Sequence, residues 1–425
     1  MRCKSPSSQR KISRLHGAVV ATLAVVVMAC SNSGSGGGNT AGGNGFNQAP
    51  GFNSTVFSIA PAGDGTGNVY VGGDFTSYNG TEVTRLVRLK PDGTVDSAFV
   101  TGSGCNGVVR SIAPAGDGTG DLYVGGDFTS YNGAGITRLV RLHANGTVDP
   151  VFVTGVGFNF SVRSIAPAGD GSGNIYVGGD FTSYNGTPAN DLVRLHANGT
   201  VDLTFVTGTG FTGAGLNTGV RSIAPAGDGS RNVYVGGEFI SYNGTPAHDL
   251  VRLHANGTVD LTFVTGTGFT GAGLNTGVRS IVPAGDGSGN VYVGGGFTSY
   301  NGTVANDLVR LRVSNGTVDP AFAMGTGFND TVFSIAPAGD GTGDLYVGGA
   351  FTSYNTTPVN DLVRLNANGT LDPAFATGTG FDNTVFSITP AGDGTGNVYV
   401  GGDFTSYHST TIGRIARLNS KGSPS

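Results

Sequence analysis

Seven copies of Pro-Ala-Gly-Asp-Gly place an aspartate at 64, 117, 170, 228, 286, 340 and 393. The turn Asp64-Gly65-Thr66-Gly67-Asn68 offers side-chain oxygens at its first, third and fifth positions, a spacing that calcium loops use. Copies two and six carry a further acid at the fifth position, Asp121 and Asp344. A calcium loop also needs a bidentate acid to close the coordination sphere, and no glutamate follows. The favoured reading is a hairpin turn whose Asp caps backbone N–H groups, with no cofactor and no metal. Calcium at these turns is the alternative.

A second pattern varies between copies. The residue before Ser in the phrase that opens each copy is Arg110, Arg163, Arg221 and Arg279 in four consecutive copies, and Phe57, Phe333 and Phe386 in the other three. If these side chains face a common channel, one part of its wall is cationic and the rest aromatic. Such a wall suits an anionic sugar or a carboxylate-bearing peptide, with Arg clamping the anion and Phe stacking. The bland reading, which is favoured, has the position facing the surface or an adjacent repeat, where Arg pairs with an acid. A third position, after a double glycine, holds Asp74, Asp127, Asp180, Glu238 and Asp403 but Gly296 and Ala350 in copies five and six. A metal ring would not lose two members, so these acids read as turn residues.

The remaining reactive types are blander. Arg88, Arg141, Arg194, Arg252, Arg310, Arg364 and Arg417 recur in every copy and read as a repeated Arg–Asp or Arg–carbonyl contact. His143, His196 and His254 lie in equivalent loops of three copies and do not converge on one metal. Cys105 stands where other copies have Phe158 or Phe381, and reads as a small buried apolar residue. There is no CxxC pair, nucleophile elbow, phosphate loop or paired-carboxylate constellation.

The elements that must position these residues are strands. From Phe46 onward one unit of about 53 residues recurs seven times, and a repeat array is one architecture however long it runs. In the first copy the four candidate strands are VFSIA (56–60), NVYVGGDF (68–75), RLVRL (85–89) and TVDSAF (94–99). Between them sit Asp-Gly and Asn-Gly turn signals. No helical periodicity follows residue 30. One four-stranded sheet per repeat, seven times over, predicts an all-β, seven-bladed β-propeller over 46–425. Other copies end in a phrase such as Phe375-Ala-Thr-Gly-Thr-Gly-Phe381, whereas the last copy stops at ARLNSKGSPS without a fourth strand. The chain opens with Phe46-Asn-Gln-Ala-Pro-Gly-Phe52, at the same spacing. Residues around 46–50 are therefore expected to complete the last blade and close the ring, which removes an open edge.

Composition bounds the rest. The chain has 425 residues, 77 of them Gly, and a net charge of −5. Five of its 23 basic residues (Arg2, Lys4, Arg10, Lys11, Arg14) precede Cys30, so the remainder is acidic and is not expected to bind nucleic acid through bulk charge. Residues 17–29, GAVVATLAVVVMA, are an apolar run too short to span a bilayer comfortably and suited to a secretory signal. The run ends in Val27-Met28-Ala29-Cys30, which resembles a bacterial lipobox. The resemblance implies a signal peptide over 1–29 and lipidation of Cys30. Residues 30–45 then form a Gly/Ser/Asn tether reaching about 20 Å as a flexible coil. Ser31 after the cysteine implies the outer membrane, on its surface or periplasmic face.

The phrases VGGDFTSYNGT and RLVRLxxDGTVDxxF with a trailing TGxGF resemble the bacterial delta-60 repeat, and the resemblance covers about 46–418. It implies an exported propeller and no known reaction. The longer turn PAGDGTGN departs from that pattern and is similar to the calcium-binding loop of FG-GAP propeller repeats. The expected function is a membrane-anchored binding module at the cell envelope, monomeric, with a protein or glycan ligand. A carbohydrate-active lyase or hydrolase working in the channel, or a passive structural spacer, are the alternatives.

Overall fold

The phrase Val-Phe-Ser-Ile-Ala-Pro opens each repeat because β-branched residues suit a half-buried pleated surface and Pro ends the ladder. In the computed structural model, which describes Phe46 and residues 50–213, 219–271 and 277–425, this phrase is the strand Val56–Pro61. It pairs antiparallel with Val69–Gly73, which pairs in turn with Leu86–Leu89. The fourth strand is short: Leu89 bridges Val95, and the Asp96 N–H donates to the Arg88 carbonyl at 2.8 Å. A two-residue hairpin, Ser77–Tyr78 with Thr81–Glu82, joins the second and third strands. Asn79 takes φ +48° there, which Asn tolerates, and Gly80 follows. The buried Tyr78 hydroxyl donates to the Gly93 carbonyl at 2.8 Å and pins that hairpin.

The other six repeats have the same plan, with first strands Val109–Pro114, Val162–Pro167, Gly219–Pro225, Val278–Pro283, Val332–Pro337 and Val385–Pro390. These are the seven blades of an all-β propeller. The expected signal peptide over 1–29, Cys30 and the expected tether over 30–45 lie outside the described residues.

The cores sit between blades. One contains Tyr70, Leu86 and Phe99 of the first blade with Val109, Ile112 and Leu122 of the second. Another contains Tyr399 and Ile415 of the last blade with Val56, Ile59 and Val69 of the first. The double glycine of the second strand makes this contact close. A Cβ on Gly72 would lie 2.4 Å from Val109 Cγ1 of the next blade, and one on Gly73 would lie 2.1 Å from the Thr55 carbonyl oxygen of its own blade. A hydroxyl adds a polar rung. The serine of each first strand accepts the backbone N–H of the isoleucine in the following blade, as Ser58 does from Ile112 at 3.1 Å and Ser387 from Ile59 at 3.0 Å. The same bond recurs at Ile165, Ile223, Ile281, Ile335 and Ile388.

Phe46 and Phe52 both touch the last blade, Phe46 at Tyr399 and the Phe52 N–H at the Gly413 carbonyl at 3.0 Å, and that blade corrects one expectation. That blade does have the start of a fourth strand: Leu418 bridges Pro424, and the Ser425 N–H donates to the Arg417 carbonyl at 2.9 Å. Residues 47–49, part of the segment expected to complete the blade, lie outside the described residues. Phe46 stands in a turn. Its ring packs edge-on to Tyr399 at 4.9 Å, the place Phe99 takes against Tyr70 at 5.1 Å. Phe46 is 2% exposed, and truncating a buried Phe costs about 3 kcal/mol or more. Phe46→Ala is therefore expected to lower the melting temperature as much as Phe99→Ala. An unchanged transition would show that this segment does not help to close the ring.

Candidate functional site

The residue before Ser sits on a β-bulge in every first strand. Val109 pairs with Gly126 and Ser111 with Gly125, so Arg110 is the extra residue between them. The same register shift occurs at Phe57 and the five other equivalents. A bulge re-aims one side chain without ending the strand. All seven residues line one cavity of about 150 Å³: Phe57, Arg110, Arg163, Arg221, Arg279, Phe333 and Phe386. A cavity built from one equivalent residue of every blade lies on the repeat axis.

Its wall has two arcs. Phe386 stands 5.4 Å from Phe57 and 5.1 Å from Phe333, giving a continuous aromatic side. The four arginines form the other side, and Arg110 lies over the Phe57 ring at 5.6 Å where the arcs meet. The arginines also pair with the acids that follow the double glycine. Arg110 Nε donates to both oxygens of Asp127, at 3.0 and 2.8 Å. Arg163 Nε donates to Asp180 at 2.6 Å, and Arg221 Nη1 reaches the other oxygen of Asp180 at 3.0 Å. Arg279 pairs with Glu238.

Four guanidinium groups here share three paired carboxylates, Asp127, Asp180 and Glu238. Burial pushes the Asp127 carboxyl up, but hydrogen bonds from Arg110 and Ser161 outweigh it and hold it below the ordinary aspartate range. Burial, with Arg163 nearby, lowers Arg221 to about 10 against the pull of Asp180, so it stays charged at neutral pH. Arg110 and Arg163 are 27% exposed at the side chain, against 8% for Arg221 and 14% for Arg279. Arg110 and Arg163 are therefore the two of these four arginines most open to solvent.

The Pro-Ala-Gly-Asp-Gly turns are structural clamps. One oxygen of Asp64 accepts the Thr66 N–H at 3.0 Å and the Thr66 hydroxyl at 2.5 Å, and the other pairs with Arg88. Burial raises the Asp64 carboxyl, yet Thr66 and Arg88 hold it low. Arg88 also lies over the Tyr70 ring and donates to the Ala144 carbonyl of the next blade at 3.2 Å. A calcium ion would have to displace that guanidinium. Equivalent Arg–Asp pairs occur in the other blades except the fourth, where Arg252 pairs with Asp260 at 2.7 Å. His143, His196 and His254 lie on separate blades against Asp121, Asn174 and Asn232. Cys105 is fully buried, and burial pushes its thiol up to about 12.

Sequence reasoning passed over one further position, the residue before the third strand. It has φ between +60° and +66° in all seven blades. It is Arg85, Arg138 and Arg414 in blades one, two and seven, and Asp191, Asp249, Asp307 and Asp361 in blades three to six. Arg85 reaches Asp74 at 3.2 Å and Arg414 reaches Asp403 at 3.5 Å. Burial raises all four aspartates, Asp191, Asp249 and Asp361 to about 7 and Asp307 to about 8. The available signal was the change of charge sign at one position of a repeat.

The fold is similar to that of two solved GH74 proteins. The GH74 enzyme of Niastella koreensis is 16% identical and aligns over 89% of this chain and 54% of its own, with a TM-score of 0.54. The GH74 xyloglucanase from Xanthomonas campestris is 14% identical over 88% of this chain and 53% of its own, with a TM-score of 0.51. The chain spans about half the length of both. The WD40 β-propeller domain of Doa1 aligns over 85% of this chain and 96% of its own at 14% identity, with a TM-score of 0.47. No curated protein sequence matches the chain. A family model described as a domain of unknown function (DUF5122) β-propeller matches seven times, over 65–99, 118–152, 171–205, 231–263, 287–322, 341–375 and 394–424. Those matches take in more than half of the chain, which is therefore a member of the DUF5122 β-propeller family.

Proposed function

We propose that this propeller is a binding module whose axial cavity takes a carboxylate-bearing group of an anionic glycan or peptide. The observation that carries the reading is the convergence of Arg110, Arg163, Arg221, Arg279, Phe57, Phe333 and Phe386 on one cavity. The flanking Val and Ser-Ile of each first strand are kept in all seven copies, while this one position changes between Arg and Phe. A space of about 150 Å³ holds one ring or one short side group, comparable to a cavity that takes benzene. The ligand therefore enters with an end or a branch, and the rest lies across the end face. The carboxylate meets Arg110 and Arg163, and the apolar face of the entering group lies on Phe57 and Phe386.

Arg110→Ala and Arg163→Ala are each expected to weaken binding of polygalacturonate or an acidic peptide by about tenfold or more, since a charge-assisted bond is lost. Isothermal titration calorimetry reads this directly. Equal affinity of both variants and the parent would overturn the axial site. A carbohydrate-active enzyme in the same cavity would instead degrade the polymer and lose turnover when one acid such as Asp127 becomes Asn. The rest of the proposal is location: export by the signal over 1–29, lipid on Cys30, and display at the outer membrane on the tether 30–45. Mass spectrometry of the N-terminal peptide tests the lipid. Protease treatment of intact cells tests which face the propeller occupies.

A further inference from the structure

Three of the four aspartates before the third strand, Asp191, Asp307 and Asp361, are no more than 8% exposed. Asp191 and Asp249 have positive neighbours. Arg221 of the following blade draws on the first and Arg279 on the second, while Asp180 and Glu238 oppose. Blades five and six change both neighbours at once. The acid after the double glycine is Gly296 or Ala350, and the axial residue of the following blade is Phe333 or Phe386. Asp307 and Asp361 keep the aspartate, the backbone conformation and the burial. Among the described residues neither carboxylate has an ion pair or a side-chain hydrogen bond. The charges that reach them are Asp330 and Asp382, which are also negative.

A buried carboxylate without a counter-ion is costly to keep charged. Blades three and four bring an arginine of the following blade near this aspartate, and blades one, two and seven have arginine in its place. At two adjacent blades the protein keeps the acid, omits the arginine, and trims the residue between to Gly or Ala. We infer that blades five and six form a cation subsite beside the axial cavity, in which Asp307 and Asp361 receive the ammonium or guanidinium group of a peptide ligand. The inference rests on the axial site, whose arginine arc holds the carboxylate of the same ligand. Phe333 and Phe386 line the axial cavity, and an aromatic face attracts a cation. Ordinary acidic glycans carry no cation, which is why the ligand is assigned as a peptide.

The test uses N-acetylated tetrapeptides of Ala and Ser that place one lysine at each position and keep a free C-terminal carboxylate. Each is compared by calorimetry with its Nε-acetyl-lysine form, and polygalacturonate is measured alongside. At least one lysine peptide is expected to bind, and acetylation of the lysine to weaken it by about tenfold or more. In the double variant Asp307→Asn, Asp361→Asn that difference is expected to vanish; Asn tolerates the positive φ, and circular dichroism checks the fold. Phe333→Arg places an arginine where the blade after Asp191 has Arg221, and is expected to abolish the preference and to lower the Asp307 carboxyl, followed by carbon-13 NMR. Indifference to acetylation, a preference that survives in the double variant, or no peptide binding at all would overturn the cation subsite. Polygalacturonate binding that is lost in Arg110→Ala would still uphold the axial site; no binding of either probe would remove both.

Discussion

Replacing Gly126 by alanine is expected to destabilise the propeller by about 3 kcal/mol or more, at the upper end of overpacking effects. A Cβ there would lie 2.0 Å from the Val108 carbonyl oxygen. That oxygen cannot move aside freely, because it accepts the Asp127 N–H at 2.8 Å. The clash therefore reaches the axial cavity: Asp127 shifts, and with it the two bonds that orient Arg110. Thermal unfolding should show a lower transition, and calorimetry should show weakened ligand binding in the fraction that remains folded. Gly80→Ala is the control, since a Cβ at Gly80 meets nothing within 4 Å, although φ +77° still strains it. If the two variants lose the same stability, backbone conformation and not close blade packing explains the double glycine.

The second large effect is on pH. Asp191, Asp249 and Asp361 are raised to about 7 and Asp307 to about 8 from an ordinary 3.8. Below pH 4 both the folded and unfolded chains hold these protons. Between about pH 4 and 8 the unfolded chain has released them and the folded chain still binds them, so stability falls as pH rises. The turn aspartates work in the opposite sense: Asp64, Asp117, Asp170, Asp286, Asp340 and Asp393 are held low, and the stability they add is lost on acidification below their ordinary value. The melting temperature is expected to peak near pH 5 and to drop by several degrees at pH 8. Changing the four buried aspartates to Asn should flatten the decline above pH 5, because a neutral amide resembles the protonated acid. A parent protein that is no less stable at pH 8 than at pH 5 would contradict the burial of these groups.

Repetition made the fold legible. Seven recurrences of one turn fixed the blade count, and the double Gly, Asn-Gly and Arg-Leu-Val-Arg-Leu phrases fell on the strands and turns expected of them. The seven axial residues were legible as a set because they vary while their flanks do not. Their direction was not legible. Strict alternation puts Val56 and Ile59 on opposite faces, yet both are buried in the same inter-blade core. The bulge between them reconciles the two, and nothing in the six-residue phrase announces it. The serine beside it was equally silent. It repeats in every copy, but an exposed-looking Ser in a strand gives no sign that it accepts an N–H from the next blade. The aspartates before the third strand were hidden by a change of sign, because the same place holds Arg in three blades.

Because the serine, the isoleucine and the glycines carry the contact between blades, the bulged residue is released from structural duty. It behaves as one letter in a seven-letter address written around the axis. Residues 191–223 and 249–281 are identical, and each stretch ends on a first strand bearing an arginine, Arg221 or Arg279. Copying such a stretch copies its letter. The chemistry of the cavity is thus edited by duplication of whole repeats as well as by point substitution, and a neighbouring pair of blades inherits the same charge together.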